Sequence, residues 1–138
     1  MFGFMAYYMK QGLSISGLLI AGISSVLRYF SSRQIQYLNA NEFEKQIIAA
    51  NSEQLIDVCT PREFEKYHIP NAKNIDFRSR DFRKQIEALD KTKPVLIYCL
   101  SGVRSKLTAM MFHNASFKTI YDLDKGLEGW MKAGKPKV

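Results

Sequence analysis

Cys99 closes the apolar run VLIY (95–98), and Leu100, Ser101, Gly102, Val103, Arg104 and Ser105 follow before apolar residues resume at helical spacing. A thiol at the exit of a buried strand, ahead of a helix start, lies where a tight loop turns its amides inward. There the amides and the helix dipole favour negative charge. Gly102 allows a left-handed backbone step and a close approach of chain to chain. Such a field favours the thiolate, which is the nucleophilic form. Inward amides of residues 100–104 would hold both that anion and an anionic covalent intermediate. A lone buried cysteine is more often an inert hydrophobe. The coincidence of strand end, Gly, Arg and helix start favours the nucleophile here.

The elements that must position this loop alternate between strand and helix. IQYL (35–38) has strand character, and Asn39 or Asn41 can cap a helix that buries Phe43, Ile47 and Ile48. LIDV (55–58) is a second strand, and Thr60-Pro61-Arg62-Glu63 forms a capping box with proline at the first helical position. KNID (73–76) is a third strand, and Phe82, Ile86 and Leu89 predict a helix over 80–89 that ends before Lys93-Pro94. VLIY is apolar on both faces, and Leu107, Met110 and Met111 would be the buried stripe of the helix after it. KTIY (118–121) is the last strand, and a helix over 125–133 ends at Gly134 and Pro136. This alternation implies an α/β fold with a parallel sheet covered on both faces, whose ligands bind beyond the carboxyl ends of the strands. Cys99 is at such an end.

Composition narrows the function classes. The net charge of +7 divides into +3 over residues 1–41, which hold no acid, and +4 over the remainder, from 17 basic and 13 acidic residues. The charges are scattered rather than blocked, so a mixed solvated surface is favoured over a nucleic-acid footprint. Arg78, Arg80, Arg83 and Lys84 form the densest basic run, read as a solvated helix face with a protein or acidic-lipid contact as the alternative. Two cysteines are too few for a disulfide framework, and two histidines with no C-x-x-C pair argue against zinc.

Residues 1–33 stand apart from this pattern. Lys10 and Arg28 bracket 17 uncharged residues, QGLSISGLLIAGISSVL. As a helix these would reach ~26 Å, slightly short of the ~30 Å hydrocarbon core. The favoured reading is a membrane anchor, with membrane contact through residues 11–30. Arg28 and Arg33 on its far flank would put the following domain on the cytoplasmic side. A cleaved export or targeting sequence and an accessory helix are the alternatives, although no A-x-A-like site follows the apolar run.

Three separated stretches carry a family resemblance. CLSGVRS (99–105) resembles the active-site loop C-x-x-G-x-R-[ST] of the rhodanese-like sulfurtransferases. LIDVCTPREFEKYHIPNAKNID resembles their D-V-R-x-x-x-E-[FY]-x-x-x-H-I-x-x-A-x-N-I segment, and YDLDKGLEGWMKAGKPKV their G-G-[IL]-x-x-W-x-x-x-G-x-P ending. The match covers about residues 34–138, and residues 1–33 lie outside it. The resemblance implies a three-layer α/β/α fold around a five-stranded parallel sheet in strand order 3-2-4-5-1. It also implies that Cys99 takes sulfane sulfur from thiosulfate or another persulfide donor and passes it to a thiol, or to cyanide, through a persulfide. No metal or organic cofactor takes part.

The remaining site residues follow from that frame. The resemblance implies that Arg104 braces the loop in a salt bridge, with Glu63 or Asp57 as partner, rather than binding donor. Ser105 would cap the next helix or bond the Cys99 sulfur. Asp57 would satisfy turn amides, and His68 would be a structural hydrogen bonder. Cys59 replaces the Arg of D-V-R, either as a small hydrophobe or as a resolving thiol that attacks the Cys99 persulfide. The loop carries no basic residue besides Arg104, unlike thiosulfate-specialised relatives, so the donor could be another persulfide. Two alternatives remain. One is a non-catalytic or regulatory rhodanese-like binding module. The other, a cysteine-dependent phosphatase or arsenate reductase, is disfavoured because those enzymes have five residues between Cys and Arg, against four here.

Overall fold

A computed structural model describes residues 34–51 and 53–138, which form one compact unit from Gln34 to Val138. The expected membrane segment lies outside the described residues. Among those described, no helix is long and apolar enough to cross a membrane.

The chain order is β1 (Ile35–Leu38), α1 (Ala40–Ala49), β2 (Leu55–Asp57), α2 (Pro61–Lys66), β3 (Lys73–Asn74), α3 (Phe82–Glu87), β4 (Val95–Tyr98), α4 (Val103–Asn114), β5 (Ile120–Leu123) and α5 (Gly126–Lys132). All strands are parallel, in the order β1-β5-β4-β2-β3, the expected 3-2-4-5-1 arrangement read from the other edge. Every β4 side chain is buried, as its uninterrupted apolar run requires of a strand covered on both faces.

Two cores result from the alternation of side chains along the strands. Ile56, Val95, Ile97 and Ile120 face one layer, where Phe82 and Ile86 of α3 and Ala109 and Phe112 of α4 close over them. Leu55, Leu96, Tyr98 and Leu123 face the other, against Phe43 of α1 and Leu127 and Trp130 of α5. Helix α2 buries no side chain. It is set by its start, where Thr60 Oγ1 accepts the Glu63 amide and Glu63 Oε2 accepts the Thr60 amide. Asn39, not Asn41, caps α1, in a second reciprocal box with Glu42.

The expected stripe of α4 is corrected. Leu107 and Met110 are 59% and 51% exposed, and Met111 is only partly covered. The buried face is Ser105, Thr108, Ala109 and Phe112. The turn at Gly102 fixes where α4 begins and which way it faces. Small residues at 105, 108 and 109 then let the helix axis approach the sheet, and Leu107 and Met110 rotate outward. The expected burial of Ile48 in α1 is also corrected, for Ile48 is 74% exposed while Phe43 is fully buried.

Candidate active site

Cys99 follows directly on β4, beside the end of β2, where the Val58 amide donates to the Tyr98 carbonyl at 2.9 Å. The backbone then turns through Gly102, whose φ of 91° is left-handed, into the first turn of α4. In that turn the Gly102 amide donates to Cys99 Sγ at 3.1 Å. The several inward amides expected from sequence reduce to this one among the described hydrogen bonds to the sulfur.

The loop is clamped from behind by the start of α5. The Leu127 amide donates to the Cys99 carbonyl at 2.8 Å and the Glu128 amide to the Leu100 carbonyl at 3.0 Å. These helix N-terminal donors would otherwise lack partners. The sequence carries no signal of this clamp, because nothing local to residues 99–105 indicates which distant amides serve them.

Arg104 reaches back to α2. Its Nη1 donates to Glu63 Oε2 at 2.7 Å and its Nη2 to Glu63 Oε1 at 2.8 Å, a two-pronged pair with Glu63 and not Asp57. The guanidinium holds the Glu63 carboxyl at about 2, well below its ordinary value. The same carboxylate accepts from the Thr60 hydroxyl at 2.9 Å, so one Glu ties the α2 cap to the active-site loop.

Cys59 lies beside this pair, with Arg104 Nη2 3.8 Å from its sulfur. It is buried in the same core as Cys99, and both thiols are free. Burial, then the nearby Asp57 carboxylate, pushes the Cys59 thiol far above the usual range. Asp57 faces the opposite side of β2 from Ile56. Its Oδ1 accepts the Cys59 amide at 2.8 Å, while its Oδ2 has no hydrogen-bond partner among the described residues and burial raises its carboxyl. Asp57 therefore shapes the β2 turn rather than the Cys99 pocket. His68 Nδ1 bonds the Phe64 carbonyl at 2.8 Å.

Two expectations are altered at the loop itself. Ser105 neither caps α4 nor bonds the sulfur; it lies inside the helix, and its hydroxyl donates to the Gly102 carbonyl at 3.3 Å. The sulfur is also not at an open mouth, for Cys99 has no exposed surface. Leu100 and Phe77 pack on the core that contains it, while Ser101 and Val103 are exposed around it. An additional buried carboxylate, Asp122 of β5, lies near the Ser105 hydroxyl with neither oxygen in a hydrogen bond among the described residues, and burial lifts it to about 6. An isolated Asp in a strand gives no sequence signal of this position.

A family model described as a rhodanese-like domain matches residues 39–133. The chain is 35% identical over 106 residues to the thiosulfate sulfurtransferase GlpE of Coxiella burnetii, covering 75% of this chain and 91% of that protein. It is 28% identical over 109 residues to the tRNA uridine(34) hydroxylase of Buchnera aphidicola, covering 75% of this chain and 31% of that one. A solved rhodanese-related protein from Thermoplasma volcanium has the same fold, with TM-score 0.65 at 24% identity, 75% of this chain and 97% of that one. Matching sequence, five-stranded topology and the cysteine loop at the end of β4 agree: the chain belongs to the rhodanese-like domain family.

Proposed function

We propose that the domain is a sulfurtransferase that carries sulfane sulfur on Cys99 as a persulfide. The observation that supports this most is the Gly102 amide directed at Cys99 Sγ at 3.1 Å, a preset donor where negative charge develops. In the first half-reaction the Cys99 thiolate attacks the outer sulfur of thiosulfate. The S–S bond of thiosulfate breaks, its electron pair leaves on sulfite, and Cys99 holds an anionic persulfide. In the second, a thiolate or cyanide attacks the outer sulfur, the bond to Sγ breaks, and Sγ is again a thiolate.

Two features bear on the donor. Arg104, the loop's single cation, is taken by Glu63, so a dianion such as thiosulfate meets no free positive charge in the loop. A less charged persulfide is the better donor on that ground. Cys99 is also sealed, so the loop or a side chain packed on it must move before the donor arrives.

That seal favours one second reading, a rhodanese-like binding module without turnover. One experiment separates the two. Wild-type protein and Cys99→Ser are incubated with thiosulfate or cysteine persulfide, then assayed for thiocyanate on adding cyanide and for a mass gain of one sulfur. The expected result is sulfur loading on wild type, faster from cysteine persulfide, and none on Cys99→Ser. An unloaded wild type, or loading that survives the substitution, overturns the sulfurtransferase reading.

A further inference from the structure

The outward turn of Leu107 and Met110 leaves an apolar stripe beginning at the cysteine loop. Val103, Leu107 and Met110, at 65%, 59% and 51% exposed, recur at i, i+4 and i+7 along α4. Three large apolar side chains on one exposed helix face, continuous with a nucleophile loop, mark an interaction site better than scattered surface residues would.

A basic rim runs into α3, which packs on the same face of the sheet as α4. Arg78, Arg80, Arg83 and Lys84 are all exposed, and with Asp81 they give residues 78–84 a net charge of +3. None of the four pairs with a carboxylate among the described residues. The rim meets the cysteine core at its start and α4 at its end. Before it, the Phe77 amide donates to the Val58 carbonyl at 3.2 Å, and the Phe77 ring packs on the core that holds Cys59 and Cys99. At its end, Arg83 and Glu87 of α3 and Met111 and Asn114 of α4 line one surface groove of about 220 Å³.

We propose that this surface docks an acidic protein partner, one that offers apolar side chains to α4 and carboxylates to the 78–84 rim and exchanges sulfur with Cys99 through a cysteine of its own. The proposal rests on the sulfurtransferase reading for the exchange, and on the surface alone for the docking. The four cations are spread over a loop and a helix instead of converging on a point, so they suit an extended anionic face better than a small anion. The apolar stripe on α4 distinguishes a protein from RNA, whose phosphates would use the rim and leave Leu107 and Met110 uncovered. Docking at Val103 also puts the partner against the loop that must open.

The test uses a fluorescein-labelled synthetic peptide with Glu and Leu at helical spacing and a terminal Ser, read by anisotropy against the full chain. Poly(U) RNA and phosphatidylglycerol vesicles serve as competing anions. The expected result is binding that weakens at least tenfold in Arg80→Glu/Arg83→Glu, at least threefold in Leu107→Ser/Met110→Ser, and strongly between 50 mM and 500 mM salt. Equal binding by the variants, or tighter binding of the RNA or the vesicles than of the peptide, overturns it. A second arm replaces the terminal Ser with Cys and follows sulfur moving from persulfidated protein to the peptide and to 2-mercaptoethanol. Transfer to the peptide should fall tenfold in the charge-reversed variant while transfer to 2-mercaptoethanol is unchanged. Loss of loading on Cys99 with all donors would sink the sulfurtransferase reading while the anisotropy arm still decides the docking.

Discussion

Gly102 and Gly126 interlock. A β-carbon on Gly126 would lie 2.7 Å from the Gly102 amide nitrogen, the donor to the Cys99 sulfur, and 2.6 Å from the Cys99 carbonyl oxygen. A β-carbon on Gly102 would lie 2.1 Å from the Asp124 carbonyl oxygen. The β5–α5 turn and the cysteine loop therefore fit together only as bare backbone, and the turn holds the amide in place.

Gly126→Ala should then be costly well beyond its size. Gly126 has φ of 58°, and the new methyl would press on backbone that cannot move away. Together, left-handed strain and overpacking predict a loss of about 2–4 kcal/mol. Urea denaturation measures it, and a loss below about 0.5 kcal/mol would show that the two turns are not locked.

The Arg104–Glu63 pair predicts an acid-sensitive contribution to stability. The Glu63 carboxyl ordinarily titrates at 4.5 and is held at about 2 in the folded chain. The native state thus binds fewer protons than the unfolded one over that interval. The contribution is complete above 4.5 and disappears as pH falls toward about 2. A third of the Glu63 side chain is solvent-exposed, which screens the pair and reduces its value to about 1 kcal/mol. The difference in urea midpoint between wild type and Glu63→Gln should be smaller at pH 3 than at pH 7. A constant gap at both values would remove the pair as the cause.

Asp122 predicts the opposite sign. Burial raises it from 3.8 to about 6, so the folded chain keeps a proton that the unfolded chain has released. Stability is highest below 3.8 and declines as pH rises through about 6, where the buried carboxyl ionises with only the Ser105 hydroxyl and Lys106 to offset its desolvation. Lys106 and Asp124 modify this charge in opposite directions. Asp122→Asn should stabilise the protein by about 2 kcal/mol at pH 7.5 and by little at pH 3.5. Thermal unfolding at the two pH values measures this; a destabilised Asn variant at pH 7.5 would mean that the carboxylate is compensated after all.

Cys59 is predicted not to resolve the persulfide. Its thiol is kept protonated by burial and by Asp57, and the protonated form is a poor nucleophile. Persulfidated protein incubated without reductant should therefore yield no Cys59–Cys99 disulfide in a non-reducing peptide map, and Cys59→Ala should still load sulfur. A disulfide formed at the rate of persulfide decay would reverse this assignment.

Much of this protein was legible one segment at a time. IQYL is β1 as expected, the Thr60–Glu63 box starts α2 where its spacing requires, and the all-buried run VLIY is central in the sheet. Such features depend on near neighbours in the chain, so the order of residues determines them. The last strand was displaced, to Ile120–Leu123 instead of 118–121, because pairing with β1 and β4 sets its register. Long-range packing decided the rest. The helix after Cys99 could bury either of two faces by composition, and only docking against the sheet through Ala109 and Phe112 left Leu107 and Met110 outside. Glu63 was chosen over Asp57 as the partner of Arg104 because strand alternation turns Asp57 to the far side of β2. The accessibility of the thiol was likewise undetermined by the sequence CLSGVRS. It depends on Leu100, on Phe77 and on amides from α5, contacts that exist only once distant segments have been brought together.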